Sequence, residues 1–400
     1  MRVLITTPAQ HGHLYPLVPL ARALVAAGHD VRVACAPSFA PIVAACGLTP
    51  YPAGFDLAGQ SWGTVFPAFG TMPAGLERSM WAFDHVFVGA WSRAFVPAIL
   101  DLAATWRPDV LVRDYMEFGA CIAGELLDIP HAVAGVCVSW PIVFWEAAQP
   151  ALEQLRADYG LPPDPENVMP WRYLGLPGFP PSWPAADESL PPTAHLLRPE
   201  PFSGPGASSL PGWIDDLPAG RPLVHVSLGT LHYRTPGGYE VILTALRDEP
   251  LNLVVAVGSD QDPAAFGLQP PSVRIERYVA HTALLPRCDL FVTHGGFGSC
   301  MAGLTYGVPM VATPIAADQP YNAQRLVALG VAQAIAPSER TPEAIVAAVR
   351  TVLRKPSYRA MAAQWRDLIA AMPGSERGVE LLEQLAQERT AITTTSTDDV

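Results

Sequence analysis

Apolar positions along this chain fall into a repeating rhythm. A short apolar run, "RVLITT" (2–7), is followed after a loop by "YPLVPLARALVAAG" (15–28), whose apolar residues recur at helical spacing, and then by strand-like "HDVRVAC" (29–35). Strand, helix and strand with short connections make a βαβ unit, and its crossover implies parallel strands. The rhythm returns at "DVLVRD" (109–114), "FGACIAGELLDIP" (118–130) and "HAVAGVCVSW" (131–140). It restarts in the second half, where "PLVHVSLGT", "LNLVVAVGS", "LFVTHGG", "VPMVATP" and "VAQAIAP" read as strands separated by helical stretches.

Between the two series the character changes. Sixteen of the 43 prolines lie from Pro162 to Pro222, and proline both removes a donor and fixes φ, so this stretch reads as irregular or linking chain. The expected organisation is an N-terminal domain over 1–205 and a second α/β domain over 206–373. A helix over 374–391, opening with Ser375 and Glu376, packs back on the first domain, and a polar tail over 392–400 is disordered. Ligands of open parallel sheets bind beyond the carboxyl ends of the strands, so two such domains facing a central cleft place the chemistry in strand-end loops.

Composition narrows the class. Four hundred residues exceed what one core usually serves, and half of them are hydrophobic. A formal charge of −12 with no basic stripe argues against nucleic acid as a partner. No uninterrupted apolar stretch reaches about eighteen residues and no leader precedes "MRVLITT", so the expectation is a cytoplasmic protein without a membrane span. The six cysteines are scattered with no C-x-x-C pair, which favours buried thiols over a disulfide framework or a zinc site.

Candidate chemistry sits at the strand ends. In "THGGFGSC" (293–300) glycines let an anion approach the backbone just ahead of a helix, whose first N–H groups and the Ser299 hydroxyl are donors. That describes a diphosphate cradle, although glycine-rich strand-to-helix turns are also common in α/β folds. Gly296 and Gly298 give G-x-G, but Met301 replaces the third glycine of a dinucleotide fingerprint. Further on, Asp318 and Gln319 side by side suit adjacent sugar hydroxyls, while Asp318 is also placed to cap the helix that contains Pro320. "GSDQDP" carries Asp260 and Asp262 in a metal-like spacing, yet it reads as a turn, and no metal is expected.

In the first half, "QHGHLYPL" puts His13 just before Pro16 at the start of a helix, where a neutral imidazole can take a proton from an acceptor hydroxyl; His11 competes. Asp114 ends another strand and can orient that imidazole, with Glu117 as rival. Aromatics crowd one insertion and a later segment: Trp62, Phe66, Phe69, Trp81, Phe87 and Trp91, then Trp140 and Phe144. They suit a pocket for a hydrophobic acceptor, although aromatics at helical spacing also build ordinary cores.

"HGGFGSCMAGLTYGVPMVATPIAADQPYNA" resembles the donor-binding signature of glycosyltransferase family 1, two-domain GT-B enzymes that use nucleotide sugars. The resemblance implies that His294 and Ser299 contact the diphosphate with Asn322 nearby, and that Asp318 and Gln319 bind sugar hydroxyls. "VSLGT" (Ser227, Gly229, Thr230) resembles the loop facing the donor, and Tyr278 and Val279 stand where the base would rest. The histidine of the family's "GHxxP" matches His13 as base, and its partner aspartate matches Asp114. Phe297 and Gly298 replace the tryptophan and asparagine of plant members, a bacterial-type pattern. The implied activity is inverting, metal-independent transfer from a UDP- or dTDP-sugar to a hydrophobic aglycone in antibiotic or other natural-product biosynthesis, by a monomer or homodimer with no cofactor. A nucleotide-sugar 2-epimerase and a catalytically silent nucleotide-binding activator are the alternatives on the same fold.

Overall fold

The computed structural model describes the chain except at residues 74, 136–141, 187, 207–208, 230–236 and 395–400, and except for the side chains of 76 and 142–147. It divides into two compact units, Met1–Arg198 with Met372–Val400, and Pro199–Ala371. The first boundary thus falls at 198/199, ahead of the expected 205/206.

The first unit is built on six parallel strands: β1 (Arg2–Thr6), β2 (Asp30–Cys35), β3 (Thr49–Pro52), β4 (Val110–Asp114), β5 (His131–Gly135) and β6 (Leu174–Pro177). Their order is β3-β2-β1-β4-β5-β6, with Val3 opposite both Val31 and Val110. Helices cover both faces of such a sheet, which is why central strands such as β4 are buried at every position. Pro50, Pro52 and Pro177, which cannot donate to a ladder, lie on the two edge strands.

The second unit repeats the plan with β7 (Leu223–Ser227), β8 (Asn252–Ala256), β9 (Val273–Glu276), β10 (Leu290–Thr293), β11 (Met310–Ala312) and β12 (Ala332–Ala334). Read from β9, the order β9-β8-β7-β10-β11-β12 reproduces that of the first unit. Each sheet therefore reverses direction once, between β1 and β4 and between β7 and β10. Crevices at such reversals, beyond the carboxyl ends of the strands, are where doubly wound sheets take ligands.

Two features of the first unit depart from expectation or complete it. The helix Ser375–Glu388 buries Val379, Leu381, Leu382 and Leu385, and a Cβ on Gly378 would lie 2.9 Å from Leu20 and 3.0 Å from Leu197. His29 Nε2 meets Glu383 Oε1 at 2.9 Å across the same contact. Beyond this helix the expected disordered tail does not begin at 392: Ile392 is buried, its N–H donates to the Tyr173 carbonyl and that of Thr394 to Pro192, while 395–400 lie outside the described residues.

The second feature is the segment Glu77–Thr105, one helical run long and apolar enough by length and composition to cross a membrane. Phe83, Val86, Trp91, Phe95 and Ile99 are nevertheless buried within the unit. Its middle, Phe83–Ser92, is wound as a π-helix, an uncommon form that tends to occur at functional sites.

Candidate active site

At the sheet reversal of the first unit, the loop after β1 and the end of β4 bring two predicted residues together. The four-residue helix His11–Leu14 starts on Gln10, whose carbonyl accepts from the N–H groups of His13 and Leu14. This turn aims His13 at β4, and its Nδ1 lies 2.9 Å from Asp114 Oδ1. Asp114 is fully buried, whereas the His13 side chain keeps 16 % of its surface exposed. A carboxylate accepting at Nδ1 fixes the tautomer and leaves the basic lone pair on Nε2.

The two rivals are placed elsewhere. His11 packs edge-on against Tyr15 and Phe39, and burial lowers its pKa. Glu117 is wholly buried, takes the Thr6 hydroxyl at 2.6 Å, and accepts the N–H groups of Gly119 and Ala120 at 2.5 and 3.1 Å. It thus ties β1 to the start of the helix Gly119–Leu127. Burial outweighs these bonds and the nearby Arg113 charge, pushing its carboxyl up to about 7.

Aromatic rings extend from His13 in one connected cluster. Phe87, on the π-helix, stands 6.2 Å from His13 between ring centroids, and Trp62 stands 5.6 Å from Phe87. Phe69 follows at 5.3 Å from Trp62, and Trp81 is 6.2 Å from both Phe69 and Phe66. All five are only partly buried, so they form a wall with accessible surface. Trp91 differs: at 2 % exposure it packs edge-on against Trp62 and Phe87 and adds little surface to that wall. Trp140 lies outside the described residues, as does the side chain of Phe144.

The second unit gathers its candidates at the reversal between β7 and β10. His294 follows β10 directly and is 8 % exposed. Its imidazole fits because two neighbours lack side chains: a Cβ on Gly229 would sit 2.5 Å from the ring, and one on Gly296 2.4 Å from it. Gly229 also has φ +77°, and Ser227 accepts its N–H at 3.4 Å. These glycines therefore make room for the histidine ring. Gly296 is the N-cap of the helix Phe297–Thr305, so the N–H groups of Gly298 and Ser299 point out of its first turn. Gly298 faces open space, which leaves its N–H approachable but gives no steric reason for glycine.

Burial and hydrogen bonding show what the other donor-site candidates do within the second unit. Asn322 is fully buried and works as a brace: its amide donates to the Gly295 carbonyl at 2.9 Å and to Asp318 Oδ2 at 2.6 Å. Gln319 is 3 % exposed, and its side-chain oxygen accepts from Ile315 and Ala316 N–H at 2.8 and 3.0 Å, which leaves the NH₂ end for a ligand. Asp318 stands at the N-cap of Gln319–Ala328 without making a side-chain cap bond. Val279 is 3 % exposed and belongs to the core, while Tyr278 is 56 % exposed and donates its hydroxyl to the Ser203 carbonyl. Thr230 lies outside the described residues. Asp262 caps the short helix Pro263–Phe266, and Asp260 accepts the Ser259 hydroxyl.

Sequence reasoning passed over Arg113 and Ser92. The first was signalled by a lone cation inside the apolar run "VLVRD"; the second had no signal, because a serine in an aromatic helix looks incidental.

Comparison with known proteins bears on the fold and the family. Residues 22–149 and 240–385 match the N- and C-terminal domains described as erythromycin biosynthesis protein CIII-like. Over 401 residues the chain is 31 % identical to L-demethylnoviosyl transferase of Streptomyces niveus, covering 98 % of this chain and 100 % of that one. It is 28 % identical to 4'-demethylrebeccamycin synthase of Lentzea aerocolonigenes, over 96 % and 99 % of the two chains. Among solved structures, the glycosyltransferase VinC in complex with dTDP superposes with a TM-score of 0.77 at 27 % identity, covering 97 % and 100 % of the chains. The spinosyn rhamnosyltransferase SpnG gives 0.78 at 26 % identity, covering 96 % and 100 %. Two parallel-sheet units with a shared strand order, strand-end sites and relatives matched end to end lead to one assignment: the chain belongs to the erythromycin biosynthesis protein CIII-like family of natural-product glycosyltransferases, enzymes of GT-B fold that use nucleotide sugars.

Proposed function

We propose that this enzyme transfers a sugar, with inversion at the anomeric carbon, from a dTDP- or UDP-activated donor to a hydroxyl of a hydrophobic, aromatic natural product. The observation that carries the reading is the 2.9 Å contact between His13 and buried Asp114 beside the ring of Phe87. His13 Nε2 takes the proton of the acceptor hydroxyl as its oxygen attacks C1 of the sugar. Asp114 stabilises the imidazolium that results, and the C1–O bond to the diphosphate breaks in the same displacement. The acceptor rests on Trp62, Phe66, Phe69, Trp81 and Phe87. The departing diphosphate gathers negative charge, which His294, Ser299 and the N–H groups opening Phe297–Thr305 meet in place of a metal ion. Asp318 and the Gln319 NH₂ group read the sugar. A thymine nucleotide is favoured among donors because VinC, a neighbour over the whole chain, was solved with dTDP.

The test pairs two measurements on His13→Ala. Transfer from dTDP- and UDP-sugars to a panel of polycyclic phenols and alcohols is expected to vanish, while dTDP binding by calorimetry stays within about twofold, since ligand binding and proton abstraction are separate terms. Undiminished transfer by this variant would remove His13 from the chemistry.

A further inference from the structure

We propose that Arg113 is a positioning residue for the His13–Asp114 pair, its buried guanidinium fixing the loop that carries Asp114. The inference rests on the base role of His13. Arg113 is 0 % exposed within β4, and burying a cation is costly, so its partners matter. They are backbone carbonyls: Nη1 donates to Asp114, Tyr115 and Glu117 at 3.1, 3.0 and 3.2 Å, and Nη2 to Pro170 at 2.5 Å. Every residue from 111 to 120 is buried, so these carbonyls have no solvent to turn to. A planar fork reaches several carbonyls at fixed angles, which an ammonium on a flexible stem does not.

The same loop is held on its amide side. Asp114 Oδ1 accepts the Met116 N–H at 2.9 Å, and Ser92 Oγ accepts that of Phe118 at 2.9 Å while donating to the Phe87 carbonyl at 2.7 Å. Ser92 therefore joins the π-helix bearing Phe87 to the loop bearing Asp114. Within the carboxylate, Oδ1 meets both His13 and Met116, while Oδ2 is buried without a hydrogen-bond partner among the described residues. Asp114 is oriented through one oxygen only, and its position depends on the backbone beneath it. Arg113 holds that backbone.

The experiment compares Arg113→Met and Arg113→Lys with Arg156→Met, a second buried arginine that pairs with Glu125 at 2.7 Å and lies outside the catalytic machinery. Misplacement of a catalytic group by about 1 Å costs ~10²-fold, so Arg113→Met is expected to lower kcat by about that factor, with dTDP affinity within about twofold. Arg113→Lys recovers part of the loss. Arg156→Met lowers the melting temperature comparably but leaves kcat within about twofold. In an Asp114→Asn background, Arg113→Met has no further effect on kcat, because the two act as one unit. Additive losses in that background, or kcat within twofold of the parent for both Arg113 variants, overturn the proposal; if Arg113→Met does not fold, Arg113→Lys alone decides. Full activity of His13→Ala would overturn the base reading and this proposal with it, whereas an inactive His13→Ala beside a fully active Arg113→Met refutes only the positioning role.

Discussion

Gly229 lies so close to His294 that a methyl group on its Cα would fall 2.5 Å from the imidazole Nε2. The His294 ring can pack against the loop after β7 only because residue 229 has no side chain, and its φ of +77° favours glycine a second time.

Gly229→Ala is therefore expected to displace the histidine and strain the loop together. Strain of this kind and overpacking each cost ~1–3 kcal/mol, so the variant should lose at least ~2 kcal/mol of stability in the second unit. Calorimetry should show dTDP affinity falling about tenfold or more, whereas Gly298→Ala, which faces open space, should melt like the parent.

Phe87 stands between the aromatic cluster and His13, the proposed base. Phe87→Ala removes the ring 6.2 Å from His13 and should raise KM for an aromatic acceptor by about tenfold, with donor affinity unchanged. Steady-state kinetics with acceptor and donor varied separately will read this; a rise in donor KM alone would place Phe87 elsewhere.

Much of the fold was legible because alternation of apolar runs and helical periods survives translation into two sheets of one strand order. His13 and Asp114 were legible for the same reason, since strand ends define where side chains leave the sheet. What was hidden depends on burial. Asn322 braces Gly295 and Asp318, and Trp91 packs edge-on against Trp62 and Phe87. A residue's type is visible in sequence, but how many neighbours compete for its polar atoms is not. The π-helical winding of Phe83–Ser92 was equally silent, because 10 residues span too few turns for apolar spacing to tell i→i+5 from i→i+4 winding.

Acid should unfold the second unit through His225. Burial holds its pKa at about 3, aided by neighbouring His281 and opposed by the bond to the Val254 carbonyl, against an ordinary value of 6.5. The unfolded chain thus binds more protons between those values, and stability present above pH 6.5 is lost as pH falls toward 3. Glu117, raised from 4.5 to about 7, works in the opposite sense, its contribution fading as pH climbs from 4.5 to 7. Denaturant melts of His225→Phe, whose ring can keep the stack on Phe291, should match the parent at pH 8 and exceed it at pH 5.

Ala317 occupies the left-handed region at φ +55°, immediately before the Asp318–Gln319 pair. Such a backbone costs a residue with a Cβ ~1 kcal/mol, and glycine escapes it. Ala317→Gly should stabilise the protein by ~0.5–1 kcal/mol in thermal melts, yet its kcat/KM for donor should fall, since the loop that orients the pair loses rigidity. A variant both more stable and faster would show that this conformation does nothing for sugar binding.

The return of the chain at Met372 has a consequence for biosynthesis. The first part to leave the ribosome cannot complete its unit, because Leu381, Leu382 and Leu385 of Ser375–Glu388 are buried in it and follow only after the whole of the second unit. All of Pro199–Ala371 is translated in the interval, and at ~5–20 residues per second the nascent amino-terminal sheet waits on the order of ten seconds or longer with an apolar seam uncovered.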